Sequence, residues 1–178
     1  MTLVPLWFER KFEFSFPAAL YPNIRVRLIG TPARLEDMLR NAVRDRLIRK
    51  PLESGPLEEV KEKWSAQEHA GHLLDLEPLW TARVNDFAKG GSELTVADLT
   101  NRGTTEANHN AMPIAQILAD FRKARAQLID RADELDPAHF AHTLLHPRMK
   151  TPMRLVDHLF FVAEHDDHHL AKIWELIN

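Results

Sequence analysis

The amino-acid sequence predicts an all-α protein: a four-helix bundle with one long crossover loop and an extended N-terminal arm. Three observations support this fold class. Apolar residues recur at spacings of three and four through most of the chain after residue 30. Signals for helix starts precede three of the four helical segments. The beginning of the chain alternates at a period of two instead, so we divide the chain into an arm, 1–30, and a bundle, 31–178.

The composition is that of one globular domain. The chain has 178 residues, of which 44% are hydrophobic and 28% are charged, and its formal net charge is -3. A nucleic-acid-binding protein normally carries a basic face, so this charge disfavours that class. No apolar run reaches the roughly 20 residues that span a bilayer, and the N-terminus has charges where a signal peptide needs its apolar stretch. We therefore expect a cytoplasmic protein with no nucleic-acid or membrane partner.

The lack of cysteine limits the chemistry that this chain can perform. Disulfides, thiolate zinc sites and cysteine nucleophiles are all excluded. Any metal ion must therefore be bound by histidine, aspartate or glutamate. The chain contains 10 histidines, which is a generous supply of imidazole ligands.

The arm is predicted to be extended. In the stretch KFEFSF, residues 11–16, phenylalanine alternates with polar residues, and in NIRVRL, residues 23–28, apolar residues alternate with arginine. Prolines at positions 5, 17 and 22 disfavour a helix. We expect an extended arm or short strands that either strap the outside of the domain or pair with another chain.

The first two helices are predicted from their N-terminal caps. Thr31 is a typical N-cap, a proline follows it, and the helix is expected to end at Pro51. Ser65 and Glu68 form a capping-box pattern, with the glutamate three residues after the serine. This pattern predicts a second helix that runs to about Lys89, where two glycines stop it.

The third helix follows the sequence MPIAQILADF, in which Ile114, Ile117 and Phe121 lie on one face. The fourth helix is expected to open at Thr151, again a threonine cap before a proline, and to run to the C-terminus. The crossover loop between helices two and three, residues 90–112, is long for a bundle, in which about 2–8 residues are usual. Because long loops in compact domains are often functional, we expect this loop to form the rim of a site.

The last helix carries the sequence HDDHH at residues 165–169. His165 and His169 are four residues apart, so they lie on one face beside the apolar stripe and can present two imidazoles to a single metal ion. A zinc-protease helix would have glutamate directly after the first histidine, where this chain has Asp166, so that class is disfavoured. Asp166 and Asp167 are expected to face solvent or to orient a neighbouring imidazole.

Two ligands alone hold a metal weakly, so a third must come from another helix. The second helix carries His69 and His72, three residues apart, on a face that it shares with leucines. The alternative is that each histidine is an ordinary residue at the edge of the core, satisfied by a hydrogen bond. Spacing alone leaves both interpretations open.

Two stretches of the sequence resemble a known protein family. KWSAQEHAGHLLDLEPLW, followed much later by HPRMKTPMRLVDHLFFVAEHDDHHLAKIW, resembles the DinB/YfiT-like superfamily of metal-binding four-helix bundles. The resemblance covers residues 31–178 and implies that His72, His165 and His169 bind a divalent metal, whereas His69 and His168 do not match ligand positions of the family. Zn²⁺ or Ni²⁺ suits three imidazoles. The resemblance also implies a homodimer.

Similar proteins of known activity use the metal to activate a low-molecular-weight thiol, such as bacillithiol or mycothiol. The resemblance therefore implies a thiol S-transferase that acts on a small-molecule substrate. Two alternatives stay open: a metal-dependent hydrolase that uses a metal-bound water, and a non-enzymatic, stress-related metal-binding protein.

Further residues are candidates for the site. A hydrolase would need a general base, and Glu68 is the best candidate because it lies four residues before His72. Its competing role is to complete the capping box with Ser65. Substrate contacts are predicted for four polar residues on the helices and the long loop: His158, Asn108, His109 and Arg83. For Asn108, His109 and Arg83, an ordinary polar surface position is the favoured alternative.

Overall fold

The structure is a computed structural model and describes residues 4–51 and 64–178. Its α-helices are α1 (Tyr21–Leu39), α2 (Arg44–Ile48), α3 (Ala66–Asp75), α4 (Glu77–Lys89), α5 (Arg102–Glu106), α6 (Ile114–Asp133) and α7 (Leu155–Ile177). Its two short strands are β1 (Thr143–Leu145) and β2 (Pro152–Arg154), which pair antiparallel. Within these described ranges, no helix is both long enough and apolar enough to cross a membrane.

The long helices form the predicted four-helix bundle. α1 packs against α6 and α7 on one side, and the α3–α4 pair packs against the same two helices on the other. α1 and the α3–α4 pair therefore occupy opposite corners, with α6 and α7 between them. The long crossover from α4 to α6, which contains α5, passes over one end of this arrangement and reaches α3.

α1 begins ten residues earlier than the sequence predicted. Residues 23–28 are helical, so the expectation of an extended segment there is wrong, and Thr31 is a buried residue inside the helix instead of its cap. Ile24, Leu28 and Leu35 are buried at helical spacing, and the short apolar–arginine alternation did not distinguish that period from a period of two. The helix also ends at Leu39, well before Pro51. The division of the chain after residue 30 stays a prediction, but α1 runs across it.

The second predicted helix starts where the capping box placed it. Ser65 Oγ accepts a hydrogen bond from the Glu68 backbone N–H at 3.1 Å, and Glu68 Oε2 accepts one from the Ser65 N–H at 2.8 Å. The helix is interrupted at Leu76, because Pro78 in the first turn of α4 has no N–H to donate to the preceding turn. Gly90 ends α4 in the left-handed conformation, with φ of 70°.

α6 matches its prediction, whereas the start of α7 does not. Thr151 precedes strand β2 and caps no helix. α7 begins four residues later, and its first turn is capped by Asp157, whose Oδ2 accepts a hydrogen bond from the Arg154 N–H at 2.8 Å. A threonine–proline pair is therefore an ambiguous signal, since it precedes a strand here and lies inside a helix in α1.

The arm straps the outside of the bundle along α7. The Val4 N–H donates to Glu175 at 2.8 Å, Arg10 forms an ion pair with Glu164, and the Phe16 carbonyl accepts from Arg154 at 2.8 Å. Trp7 lies in a short 3-10 turn and is buried against the bundle. Of the two expected roles of the arm, the described residues from Val4 onward show the strap.

A buried polar layer divides the core into two apolar clusters, and each corner of the bundle contributes one residue to it: Thr31, Glu77, Arg125 and Asp166. Arg125 donates to Glu77 at 2.6 Å and to Asp166 at 2.5 Å. It also donates to the Leu28 carbonyl at 3.2 Å. That carbonyl has no helical donor because the residue four positions on is proline, so Arg125 compensates for the proline inside α1.

Candidate metal centre

Three histidines from two helices converge on one point. His72 on α3 and His165 and His169 on α7 each offer a ring nitrogen, and these three atoms lie within 4.8 Å of one another. The Nε2 atoms of His165 and His169 are 3.1 Å apart. Two nitrogens bound to one Zn²⁺ at about 2.1 Å would lie at a similar separation. All three side chains are buried.

Neighbouring polar groups orient two of these rings. The Nδ1 atom of His72 is 2.9 Å from Thr104 Oγ1, and the Nδ1 atom of His169 is 2.9 Å from the Nδ1 atom of His69. A neutral imidazole that donates through Nδ1 presents the lone pair of Nε2, and this is the usual arrangement of a histidine that binds a metal. The Nδ1 atom of His165 has no partner within the described ranges.

Burial keeps the cluster neutral. It lowers the pKa of His72 to about 4, and it lowers the pKa of His165 and of His169 well below the ordinary value, with further lowering from the neighbouring histidines. The rings are therefore unprotonated at neutral pH, which is the form that binds a metal. Three neutral nitrogen donors on rigid helices fit a divalent ion such as Zn²⁺ or Ni²⁺.

The three histidines line a cavity of about 190 Å³. The face of the α3–α4 pair that carries His72, Leu76, Leu79 and Arg83 forms one wall. The walls are mainly apolar, and their bulky members come from the arm, the α3–α4 pair with its junction, the crossover loop and α7: Trp7, Phe8, Leu76, Leu79, Trp80, Leu99 and Phe161. The cavity can therefore receive a small apolar molecule next to the three ring nitrogens.

The structure places Glu68 away from this cavity. One carboxylate oxygen completes the capping box, and the other forms an ion pair with Lys50 at 2.9 Å. Glu68 is not among the residues that line the cavity. Both oxygens are engaged, so the structure favours the capping role over that of a general base.

Of the four residues predicted to contact substrate, Arg83 alone lines the cavity. His158 is fully buried and packs against Trp80 and Phe87. Asn108 adopts a left-handed backbone conformation outside the cavity, with φ of 51°. His158 and Asn108 therefore lie outside the cavity that the three histidines line, and their contact with substrate stays a prediction.

His109 packs against α3 and does not line the cavity. Its Nε2 atom is 2.8 Å from Asp75 Oδ2, and its carbonyl accepts a hydrogen bond from Gln67 at 2.6 Å. Its ring lies directly against Gly71, where an added Cβ would come within 2.2 Å of ring carbons. Gly71 is thus required for the close approach of the crossover loop to the helix that carries His72.

The two aspartates of HDDHH have different surroundings. Asp166 does not face solvent; it belongs to the buried polar layer and is bonded to Arg125 and Thr31. Asp167 is partly exposed and pairs with Arg34 at 2.6 Å and with Arg27. Neither aspartate has a hydrogen bond to a ligand histidine within the described ranges.

Three further residues of the site were not assigned from the sequence. Trp7 packs edge-on against His165, with ring centroids 5.0 Å apart, Thr104 bonds to His72, and His69 bonds to His169. Only His69 had a local signal, because it lies one turn before His72. Trp7 and Thr104 are brought to the site by the arm and the crossover loop, and no spacing along the chain predicts such contacts.

Comparisons with known proteins identify the family and the fold of this chain. The model of the DinB superfamily matches residues 27–173. A solved structure of YfiT from Bacillus subtilis, described as a probable metal-dependent hydrolase with an unusual four-helix bundle topology, superposes with a TM-score of 0.76. The match covers 94% of this chain and 91% of that chain, and at 18% identity it shows a shared fold. No curated protein sequence matches the chain.

Proposed function

The chain belongs to the DinB superfamily, and from that premise we propose that it is a metal-dependent enzyme, a low-molecular-weight-thiol S-transferase. In this proposal His72, His165 and His169 hold a divalent metal, Zn²⁺ or Ni²⁺. The observation that carries the proposal is the convergence of three neutral imidazoles at the wall of an apolar cavity. We further propose that the protein is cytoplasmic and that it forms a homodimer. Light scattering coupled to gel filtration tests the dimer through its molar mass.

The metal, when bound, would lower the pKa of a coordinated thiol and so supply a thiolate at neutral pH. The protein residues have separate tasks. Thr104 and His69 hold the rings of His72 and His169 in one tautomer and orientation. Trp7, Trp80 and other apolar residues of the wall exclude water and pack against the electrophile.

The transfer step needs no general base from the protein. The thiolate sulfur forms a bond to an electrophilic carbon, the leaving group departs with its bonding electron pair, and the thiol proton has already been released to solvent. The residues that line the cavity are consistent with a transfer step that uses no general base. In the described part of the chain, one carboxylate lines the cavity, that of Asp98 at the rim. This carboxylate already accepts hydrogen bonds from the N–H and the hydroxyl of Thr100, at 2.9 and 2.6 Å.

A metal-dependent hydrolase is the second candidate, and it is favoured by the description of YfiT as a probable metal-dependent hydrolase. Hydrolysis would require a base beside the attacking water. Glu68 would have to leave both the cap and Lys50 to serve as that base. A purely structural metal is disfavoured, because structural sites are closed by a fourth protein ligand, whereas the three histidines here line a cavity.

The test begins with elemental analysis of protein purified without an affinity tag, followed by a screen of thiols with a chromogenic electrophile. We expect about one divalent ion per chain and thiol-dependent turnover. His72→Ala should lose both, whereas the control variant His168→Ala, in a histidine outside the trio, should keep both. Thiol-independent cleavage of esters or amides would instead support the hydrolase. If His72→Ala loses the metal but keeps its thermal midpoint, the metal serves chemistry and not folding.

A further inference from the structure

The cavity beside the three histidines also contains two arginines, Arg83 and Arg148. Arg83 as a whole residue is 1% exposed. Its Nε donates to the Thr95 carbonyl at 2.9 Å, and its Nη1 lies 3.2 Å from Nε2 of His146. In the part of the chain that the structure describes, no carboxylate forms an ion pair with either arginine. The two groups bonded to the Arg83 guanidinium are both uncharged.

The contrast with Arg125 shows why this is unusual. Arg125 is equally buried, but two carboxylates compensate its charge, those of Glu77 and Asp166. A buried cation without a counter-ion is destabilising, since desolvation is not offset by an opposite charge. Burial lowers the pKa of Arg83 only to about 10, so the guanidinium is still charged at neutral pH.

Asp86 attracts the guanidinium and raises the pKa of Arg83, but no acidic group in the described part of the chain forms an ion pair with it. Asp86 faces Arg83, but its Oδ2 accepts hydrogen bonds from the backbone and the hydroxyl of Thr95, at 2.6 and 2.8 Å. Asp98 lies at the rim of the cavity and is bonded to Thr100. The cavity therefore combines an apolar wall with a buried positive charge that no ion pair neutralises in the described part of the chain.

We propose that Arg83, together with Arg148, binds the oxyanion of an otherwise apolar substrate, a carboxylate or a phosphate, whose reacting atom lies at the histidine trio. The position of the reacting atom rests on the proposed function, whereas the binding of the oxyanion does not. Guanidinium groups bind both oxyanions through paired hydrogen bonds, so the shared chemistry is that of an anionic group on an apolar body.

The layout of the α3–α4 wall indicates the shape of this substrate. His72, Leu76, Leu79 and Arg83 follow one another at spacings of four, three and four, and all of them line the cavity. Eleven residues at the helical rise place the backbones of His72 and Arg83 at most about 16 Å apart, because the helix is interrupted at Leu76 between them. The two leucines lie between the trio and the guanidinium. The substrate is therefore elongated, with its reactive end and its anionic end separated by an apolar part.

Calorimetric titration with three matched probes tests the proposal: 4-phenylbutyrate, 3-phenylpropyl phosphate and the neutral 4-phenylbutanamide. The wild type should bind at least one anion tenfold or more tightly than the amide, and the anion that is preferred identifies the oxyanion. Arg83→Met should abolish this preference and leave amide binding unchanged. Arg148→Met, in the loop between the two strands, should reduce the preference, and it provides the test if Arg83→Met does not fold.

Arg102→Met is the control, because Arg102 is exposed on α5 and does not line the cavity. The proposal is overturned if the wild type shows no preference for either anion, or if both cavity variants keep the preference.

Each titration is run with zinc-loaded and with chelator-treated protein. A preference that disappears with the metal would assign the oxyanion to the metal, which overturns this inference and leaves the proposed function intact. An arginine-dependent preference in a protein that takes up no metal would support this inference and overturn the proposed function.

Discussion

The Nδ1 atom of His69 lies 2.9 Å from the Nδ1 atom of His169, so a histidine outside the ligand trio holds a member of the trio in place. The contact joins α3 to α7 across the bundle. If His169 donates through Nδ1, its Nε2 is free to face the common point, only 3.1 Å from Nε2 of His165.

The first prediction follows from this contact. His69→Ala should weaken the affinity for Zn²⁺ by about 10–100-fold, the range found when a partner of a ligand histidine is removed. Competition with a chromophoric chelator measures the affinity. His168→Ala is the matched control, because its ring nitrogens have no hydrogen-bond partner in the described part of the chain, and it should change the affinity little. Equal affinities of the two variants would show that His69 does not support the site.

The second prediction concerns Arg125. Arg125→Ala leaves the buried carboxylates of Glu77 and Asp166 without their partner, so the free energy of unfolding should fall by about 3–5 kcal/mol. Urea denaturation followed by circular dichroism gives this value. Arg122→Ala on the same helix removes a solvent-exposed pair with Glu36 and should cost about 1 kcal/mol or less. Similar losses in both variants would contradict a structural role for the polar layer.

The third prediction concerns Gly71. A methyl group at this position would meet the ring of His109 at 2.2 Å, and the hydrogen bond between its Nε2 atom and Asp75 holds that ring in place. Gly71→Ala should therefore lower the free energy of unfolding by about 1–3 kcal/mol through overpacking, although alanine favours helices. The control is Gly103→Ala, where no atom lies within 4 Å of the added methyl. Thermal unfolding of both variants decides the outcome, and an unchanged midpoint of Gly71→Ala would contradict the prediction.

The fourth prediction concerns acid. Burial lowers the pKa of seven histidines: His69, His72, His146, His158, His165, His168 and His169. As the pH falls below about 6.5, the unfolded chain takes up protons at these positions and the folded protein does not, so stability is lost. Each histidine contributes a slope of up to about 1.4 kcal/mol per pH unit.

A typical protein has a free energy of unfolding of about 5–15 kcal/mol. With seven such groups, the summed loss should reach that amount at a pH between about 6 and 5, so the metal-free protein should unfold in this range. Circular dichroism across a pH titration of chelator-treated protein checks this. A bound metal should move the acid transition to lower pH, because it favours the folded, unprotonated cluster. A metal-free protein that stays folded at pH 4.5 would contradict the prediction.

Local signals in the sequence were sufficient for much of the fold and for the placement of two candidate ligands on one helix face. The capping box of Ser65 and Glu68 and the apolar stripe of α6 depend on residues within a few positions of one another, so they were predicted correctly. The placement of His165 and His169 on one face is likewise a property of a single helix. The resemblance to the family added His72, and the structure brings all three together.

Contacts between distant segments determined the rest. Pro32 lies inside α1 because Arg125, 93 positions along the chain, hydrogen-bonds the carbonyl of Leu28 that the proline leaves without a donor. His158 shares a helix face with His165, yet it packs behind Trp80 and does not reach the cavity. Trp7 reaches the site only because the arm folds back along α7.

The sequence by itself therefore determined the helical bundle and the set of histidines on it, because helix periodicity and caps are short-range properties of the chain. Only the tertiary structure decided which of those histidines meet, what orients them and which charged groups beside them are buried without an ion pair. Those outcomes depend on the packing of segments far apart in sequence, and burial then sets the protonation and hydrogen bonding of each group.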